Sequence, residues 1–119
     1  MKDVASWVVP VPKNKIAEYR RKARRFGKLW MEHGALEYVE CVADNVTKGK
    51  VTSFPRSVDL KRNETVVLAW LGFKSRAHHD RVMKQSMADP RMKKLMDPEA
   101  MLFDGMRMFW GGFEVMVKL

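Results

Sequence analysis

The stretch Thr65–Phe73, Thr-Val-Val-Leu-Ala-Trp-Leu-Gly-Phe, carries no charge and is apolar on both of its alternating faces. Read as a strand, it puts Val67, Ala69, Leu71 and Phe73 on one side and Val66, Leu68 and Trp70 on the other. An extended segment of this kind has to be covered above and below, which places it at the centre of a sheet. Any fold for this chain must supply both covers.

The remaining elements follow from local pattern. Asp3–Pro10 reads as a first strand, ended by Pro10-Val11-Pro12. Proline presets the backbone for a helix start and lacks the N–H that would be orphaned there. A helix then runs to about His33, with Ile16, Tyr19, Ala23, Phe26 and Trp30 stepping by three or four along one apolar stripe. Gly34 stands where a left-handed cap is wanted. Leu36–Ala43 predicts a second strand, with Leu36, Tyr38, Glu40 and Val42 on one face and Glu37, Val39, Cys41 and Ala43 on the other. The polar stretch Asp44–Glu64 is long for a connection, so it is either ordered for a purpose or mobile. Its middle, Val51–Arg56, has the apolar and β-branched character to dock.

Beyond the central strand, Ser75 can N-cap a second helix to about Ala88, whose stripe is Ala77, Val82 or Met83, and Met87. Asp89-Pro90 breaks it, and Arg91–Met96 predicts one more short helical piece. The last strand, about Met106–Val117, contains Gly111-Gly112, a pair that suggests a bulge or a close backbone approach. The order is β-α-β-β-α-β: an α+β, ferredoxin-like protomer with both helices on one face of a four-stranded antiparallel sheet. At 119 residues this is one domain, 1–119. The helices cover one face of Thr65–Phe73 and leave the other bare. A second copy packed sheet against sheet would cover it, so the expectation is a homodimer through the sheet face.

Composition narrows the function classes. Uncharged runs are far shorter than the ~20 residues a membrane helix needs, so no membrane partner is expected. No secretory signal is visible, and cytoplasm is the expected location. Cys41 is the single cysteine, which leaves no internal disulfide and no cysteine cluster for zinc. His78-His79 point in different directions with no second pair at metal spacing, so no metal is expected, nor any other cofactor. The net charge of +9 draws nucleic acid and acidic surfaces whatever the function. The aromatic and basic pattern of an RNA-recognition sheet is missing, so nucleic-acid contact would be nonspecific, through the basic helix face. No phosphate-cradling loop, Ser-His-Asp arrangement or dinucleotide fingerprint is present.

Among candidate site residues, Glu40 is the sharpest. It shares a face with Leu36, Tyr38 and Val42, and a carboxylate among apolar neighbours is costly unless partnered. If that face lines an interior, its pKa rises and it can act as acid or base. The plainer alternative is an edge strand where Glu40 reaches solvent or an arginine, Arg56 or Arg107 being the obvious partners. His33 is either a proton-transfer residue or a cation at a helix C-terminus. Asp104 is a supporting polar group or simply the Asp104-Gly105 turn. Arg56, Tyr38 and Trp70 complete the set as ligand-binding groups, Trp70 as a wall. Cys41 reads as buried and inert rather than nucleophilic. Eight of the ten methionines fall between Met83 and Met116 and serve as gap-fillers in core and interface.

Several longer motifs point the same way. Val9-Pro-Val-Pro-Lys13, His33-Gly-Ala-Leu-Glu-Tyr-Val-Glu-Cys41, Lys50-Val-Thr-Ser-Phe-Pro-Arg56, Met87-Ala-Asp-Pro-Arg91, Phe103-Asp-Gly105 and Gly111-Gly-Phe-Glu114 occur in this order. Together they resemble the YbaA-like family of bacterial proteins over nearly the whole chain. The resemblance implies a dimeric α/β barrel and no known activity. The resulting expectation is a dimeric α/β-barrel protein that binds or transforms a small apolar molecule. The alternatives are RNA or polyanion binding through the basic helix face, and a non-catalytic interaction protein. Whether it is an enzyme stays open.

Overall fold

The computed structural model describes all residues, Met1–Leu119. The chain runs β1 (Asp3–Pro12), a 3-10 turn (Lys13–Lys15), α1 (Ile16–Glu32), β2 (Glu37–Val42), a short α2 (Phe54–Ser57) and β3 (Glu64–Phe73). It ends with α3 (Arg76–Ala88), α4 (Pro90–Leu95), a second 3-10 turn (Pro98–Ala100) and β4 (Phe109–Glu114). The four strands form one antiparallel sheet in the order β2-β3-β1-β4. The chain is thus an α+β, ferredoxin-like protomer, with the uncharged stretch at an inner position.

The element ends have identifiable causes. Gly34 takes a positive φ of 109° just past α1, the left-handed conformation that glycine adopts at least cost. Ser75 Oγ accepts from the His78 N–H at 3.1 Å and caps α3. Asp89 does the same for α4, accepting from Arg91 N–H at 2.9 Å. β1 continues through Pro10 and Pro12 rather than stopping before them. β4 reaches only to Phe109, opposite Val8, so beyond that point β1 has a single neighbour and missing N–H groups are tolerated.

Strand register sorts the side chains. Toward α1 and α3 the sheet presents Ala5, Trp7, Val9, Val67, Ala69, Leu71 and Phe73, joined by Tyr38 and Glu40 from β2 and Trp110 from β4. The opposite face carries Val8, Val66, Leu68 and Trp70, with Cys41 on one side and Phe109 and Phe113 on the other.

Several local expectations are corrected. The opposite face is not wholly bare: the Asp44–Glu64 stretch lies over one end of it, with Val58 and Leu60 packed on Val8, Val66 and Leu68. Within Val51–Arg56 it is Phe54 that stands beside Val66 and Leu68, while Val51 is 91 % exposed. On α3 the buried row is His78, Val82 and Ser86, and Ala77 faces solvent. Gly111 and Gly112 sit in unbroken register opposite Ser6 and Ala5, with no bulge. No backbone atom crowds either glycine. Cys41 is exposed on the open face rather than buried.

Candidate functional site

The α1 stripe lies across the sheet and leaves space beneath it. A cavity of about 350 Å³ opens between α1, the helix-facing side of β1–β4, and the Met96–Met108 segment that crosses to β4. Of its 19 lining residues 16 are hydrophobic, so any polar group inside it is conspicuous. Trp7 forms part of the floor, packing against Phe26 edge-on at 6.4 Å between ring centroids and against Tyr38 at 6.1 Å. Phe103, from the crossing segment, packs edge-on against Tyr19 at 6.1 Å. Trp110 stands on the rim, 72 % exposed.

Glu40 is the carboxyl in this wall. Strand alternation puts it on the helix side of β2, two residues after Tyr38, so both point the same way. One carboxyl oxygen accepts the Tyr19 hydroxyl from α1, and the other accepts the Tyr38 hydroxyl. Burial pushes the Glu40 pKa above the ordinary range, and the two phenol donors offset part of that rise. Burial likewise raises both phenols, and the neighbouring Glu40 charge adds to it. Tyr38 reaches this position because Gly27 faces it from α1; a Cβ at Gly27 would overlap the Tyr38 ring. A glycine inside a helix costs roughly 0.5–1 kcal/mol relative to alanine, so here it exchanges helix stability for room.

What results is a carboxyl that holds its proton to higher pH than usual, with its orientation set by two phenols and an apolar space beside it. Such a group can take a proton from a bound molecule or return one. No arginine partners it. Arg56 instead donates to the carbonyls of Lys48 and Gly49, both at 2.9 Å, and holds the Asp44–Glu64 loop together. Arg107 is bound to Glu64 at 2.5 Å and to Asp104 at 3.0 Å.

The other candidates are dispersed. His33 Nε2 meets Asp89 Oδ2 at 2.8 Å, away from the cavity lining, and ties the end of α1 to the α3–α4 corner. Glu32, His33 and Asp89 have their ligand atoms within 4.8 Å of one another, the spacing of a metal site. Arg91 already bonds both carboxylates, so this group is an ion-pair latch between α1 and the α3–α4 corner. Asp104 accepts from Met106 N–H and from Arg107, each at 3.0 Å, and serves the turn before β4. Trp70 lies on the far side of the sheet, donating to Glu37 at 2.7 Å, and walls no part of the cavity.

Only Tyr38 and Glu40 of the sequence candidates are therefore brought together. The missing partner was Tyr19, and a signal for it existed: a tyrosine inside an apolar stripe has a hydroxyl that must find an acceptor. Lys22, one helical turn on, also lines the cavity, and its ammonium donates to the Ala100 carbonyl on the crossing segment.

Comparison with known proteins agrees with this architecture. YbaA of Escherichia coli strain K12, an uncharacterised protein, is 44 % identical over 117 residues, 98 % of each chain. YbaA of Shigella flexneri matches to the same extent. The crystal structure of a dimeric ferredoxin-like protein from an uncultured marine organism superposes with a TM-score of 0.55, covering all of both chains at 12 % identity, which bears on fold alone. Residues 2–105 match the family described as protein of unknown function DUF1428, and the chain belongs to that family.

Proposed function

We propose that this chain forms a homodimer through the open face of its sheet, and that each protomer takes a small apolar molecule into the cavity beneath α1, with Glu40 as its acid–base group. The observation that carries the reading is the Glu40 carboxyl, held by two phenols in the wall of a space that is otherwise apolar. A carboxyl desolvated without a cationic partner costs stability, and an acid–base role gives the cost a use. Exposed Phe109 and Phe113, alternating along the β4 edge of the open face, favour a second copy, since a two-fold pair buries the same patch on both partners. The similar marine protein is itself described as dimeric.

Native mass spectrometry of the purified protein, wild type and Glu40→Gln, tests both halves. The expected result is a dimer for both, with a small apolar molecule retained by the wild type and lost or retained differently by the variant. A monomer sinks the sheet-face pairing. Identical retention in the two proteins sinks the role of Glu40.

A second reading rests on Arg20, Arg21, Arg24 and Arg25, which are exposed on α1 and make no ion pair. Contact with a polyanion there would weaken steeply as salt rises.

A further inference from the structure

We infer that the molecule this cavity accepts is an amphipathic anion, its flexible apolar chain lying beneath α1 and its charged head at the Lys22 lip. The inference rests on the cavity being a ligand site.

The chemistry of the wall sets the two ends. Lys22 is the one cationic side chain in the lining, and it bridges α1 to the crossing segment through Ala100. A lysine lays its methylene stem along apolar surface and keeps its ammonium at the edge, where a ligand head would meet it. Burial and then Arg25, one turn further along α1, lower the Lys22 pKa, and Asp97 and Glu18 oppose them less strongly. Between Lys13 and Lys28 the chain has eight basic residues against the single acid Glu18, so an approaching anion meets a positive field before it reaches the lip.

The interior argues for a chain rather than a rigid ring system. Met83, Met87, Met96, Met101 and Met108 all line it. Unbranched thioether side chains re-pack around a contour that changes shape. From Lys22 the α1 side of the cavity continues to Trp30, about 12 Å along the helix axis, which suits an alkyl chain.

Dodecanoate and dodecyltrimethylammonium, each below its micelle concentration, and dodecan-1-ol, below its solubility limit, are titrated into the full-length protein at neutral pH and low salt, with tryptophan fluorescence as readout. The expected result is dodecanoate binding up to about fivefold tighter than dodecan-1-ol, the discrimination one solvent-accessible ion pair supplies, and the trimethylammonium weakest. Lys22→Met should bring acid and alcohol to similar affinities, with an unchanged far-ultraviolet circular dichroism spectrum showing that the variant is folded. Lys22→Arg should keep the preference. Equal binding of acid and alcohol to the wild type, or a preference that survives Lys22→Met, overturns the inference and leaves the cavity reading standing. Binding of none of the three probes overturns both.

Discussion

The two faces of this one sheet start from similar residues and reach different states. Toward the helices, Val9, Ala69 and Phe73 are wholly out of water, yet the layer above stands off far enough to leave a cavity with a carboxyl in its wall. On the far side, Val8 and Val66 are as well buried where Val58 and Leu60 lie over them, while Phe109 and Phe113 remain 45 % and 60 % exposed. The first face is closed by long helices whose stripe faces the sheet. The second is closed by a loop that reaches only one end. An enclosed face with a gap suits a small molecule; an open apolar face suits a second protein surface. The difference lies in the cover, since both faces are apolar alike.

The largest effect should come from the open face. Phe109→Glu with Phe113→Glu puts like charges into the patch, and sedimentation should show the proposed dimer of the wild type replaced by a monomer while dodecan-1-ol still binds the cavity. If ligand binding falls in step with dimerisation, the two faces are not independent and the comparison fails.

Next is the tie that holds the loop in place. Arg107 and Glu64 have side chains only 15 % and 5 % exposed, and Arg107 also donates to the Val58 and Asp59 carbonyls at 3.1 Å and 3.0 Å. Arg107→Ala leaves Glu64 buried and unpaired and should cost roughly 3–5 kcal/mol in urea unfolding. An undiminished midpoint would show that Val58 and Leu60 hold the loop alone. The same tie has a pH signature in the wild type. The Arg107 hydrogen bond holds the Glu64 carboxyl below its ordinary pKa. Its contribution is therefore complete above the unfolded carboxylate range and is lost as pH falls through the lower folded value. Arg107→Ala should flatten that acid limb.

A smaller effect tests the enclosed face. Gly27→Ala improves helix propensity by up to about 1 kcal/mol, but the new methyl meets the Tyr38 ring, and overpacking of this kind costs roughly 1–3 kcal/mol. A net loss of stability with altered titration of Glu40 is expected. A more stable protein would mean that Tyr38 yields without consequence and that the Glu40 geometry is loosely held.

Much of the architecture was legible in residue order. The α1 stripe, the Ser75 cap, the left-handed Gly34 and the uncharged inner strand all lie within a few residues of what causes them. The misses have a common form. Gly111-Gly112 resembles a bulge by composition, but its pairing with β1 is regular, and pairing is a long-range property. Val51 shares the apolar character of Phe54, yet it is Phe54, with Val58 and Leu60 beyond it, that the loop's path brings to the sheet. Glu40 was recognisable as a carboxylate among apolar neighbours. Tyr19 was recognisable as a donor in need of an acceptor, but its pairing with Glu40 was not, because an arginine and a tyrosine are equally available to Glu40 until the helix is laid across the strand.

By itself, then, the sequence determined the β-α-β-β-α-β order, the two-faced apolar inner strand and that Tyr38 and Glu40 share one side of β2. Those follow from periods of 2 and 3.6 residues, which are local and geometric. Only the tertiary structure decided that α1 crosses β2 at Gly27, that Tyr19 meets Glu40, that a methionine-lined space remains beneath them, and that His33, Arg56, Asp104 and Trp70 lie elsewhere. Those depend on the separation and crossing of packed layers, which no local pattern encodes.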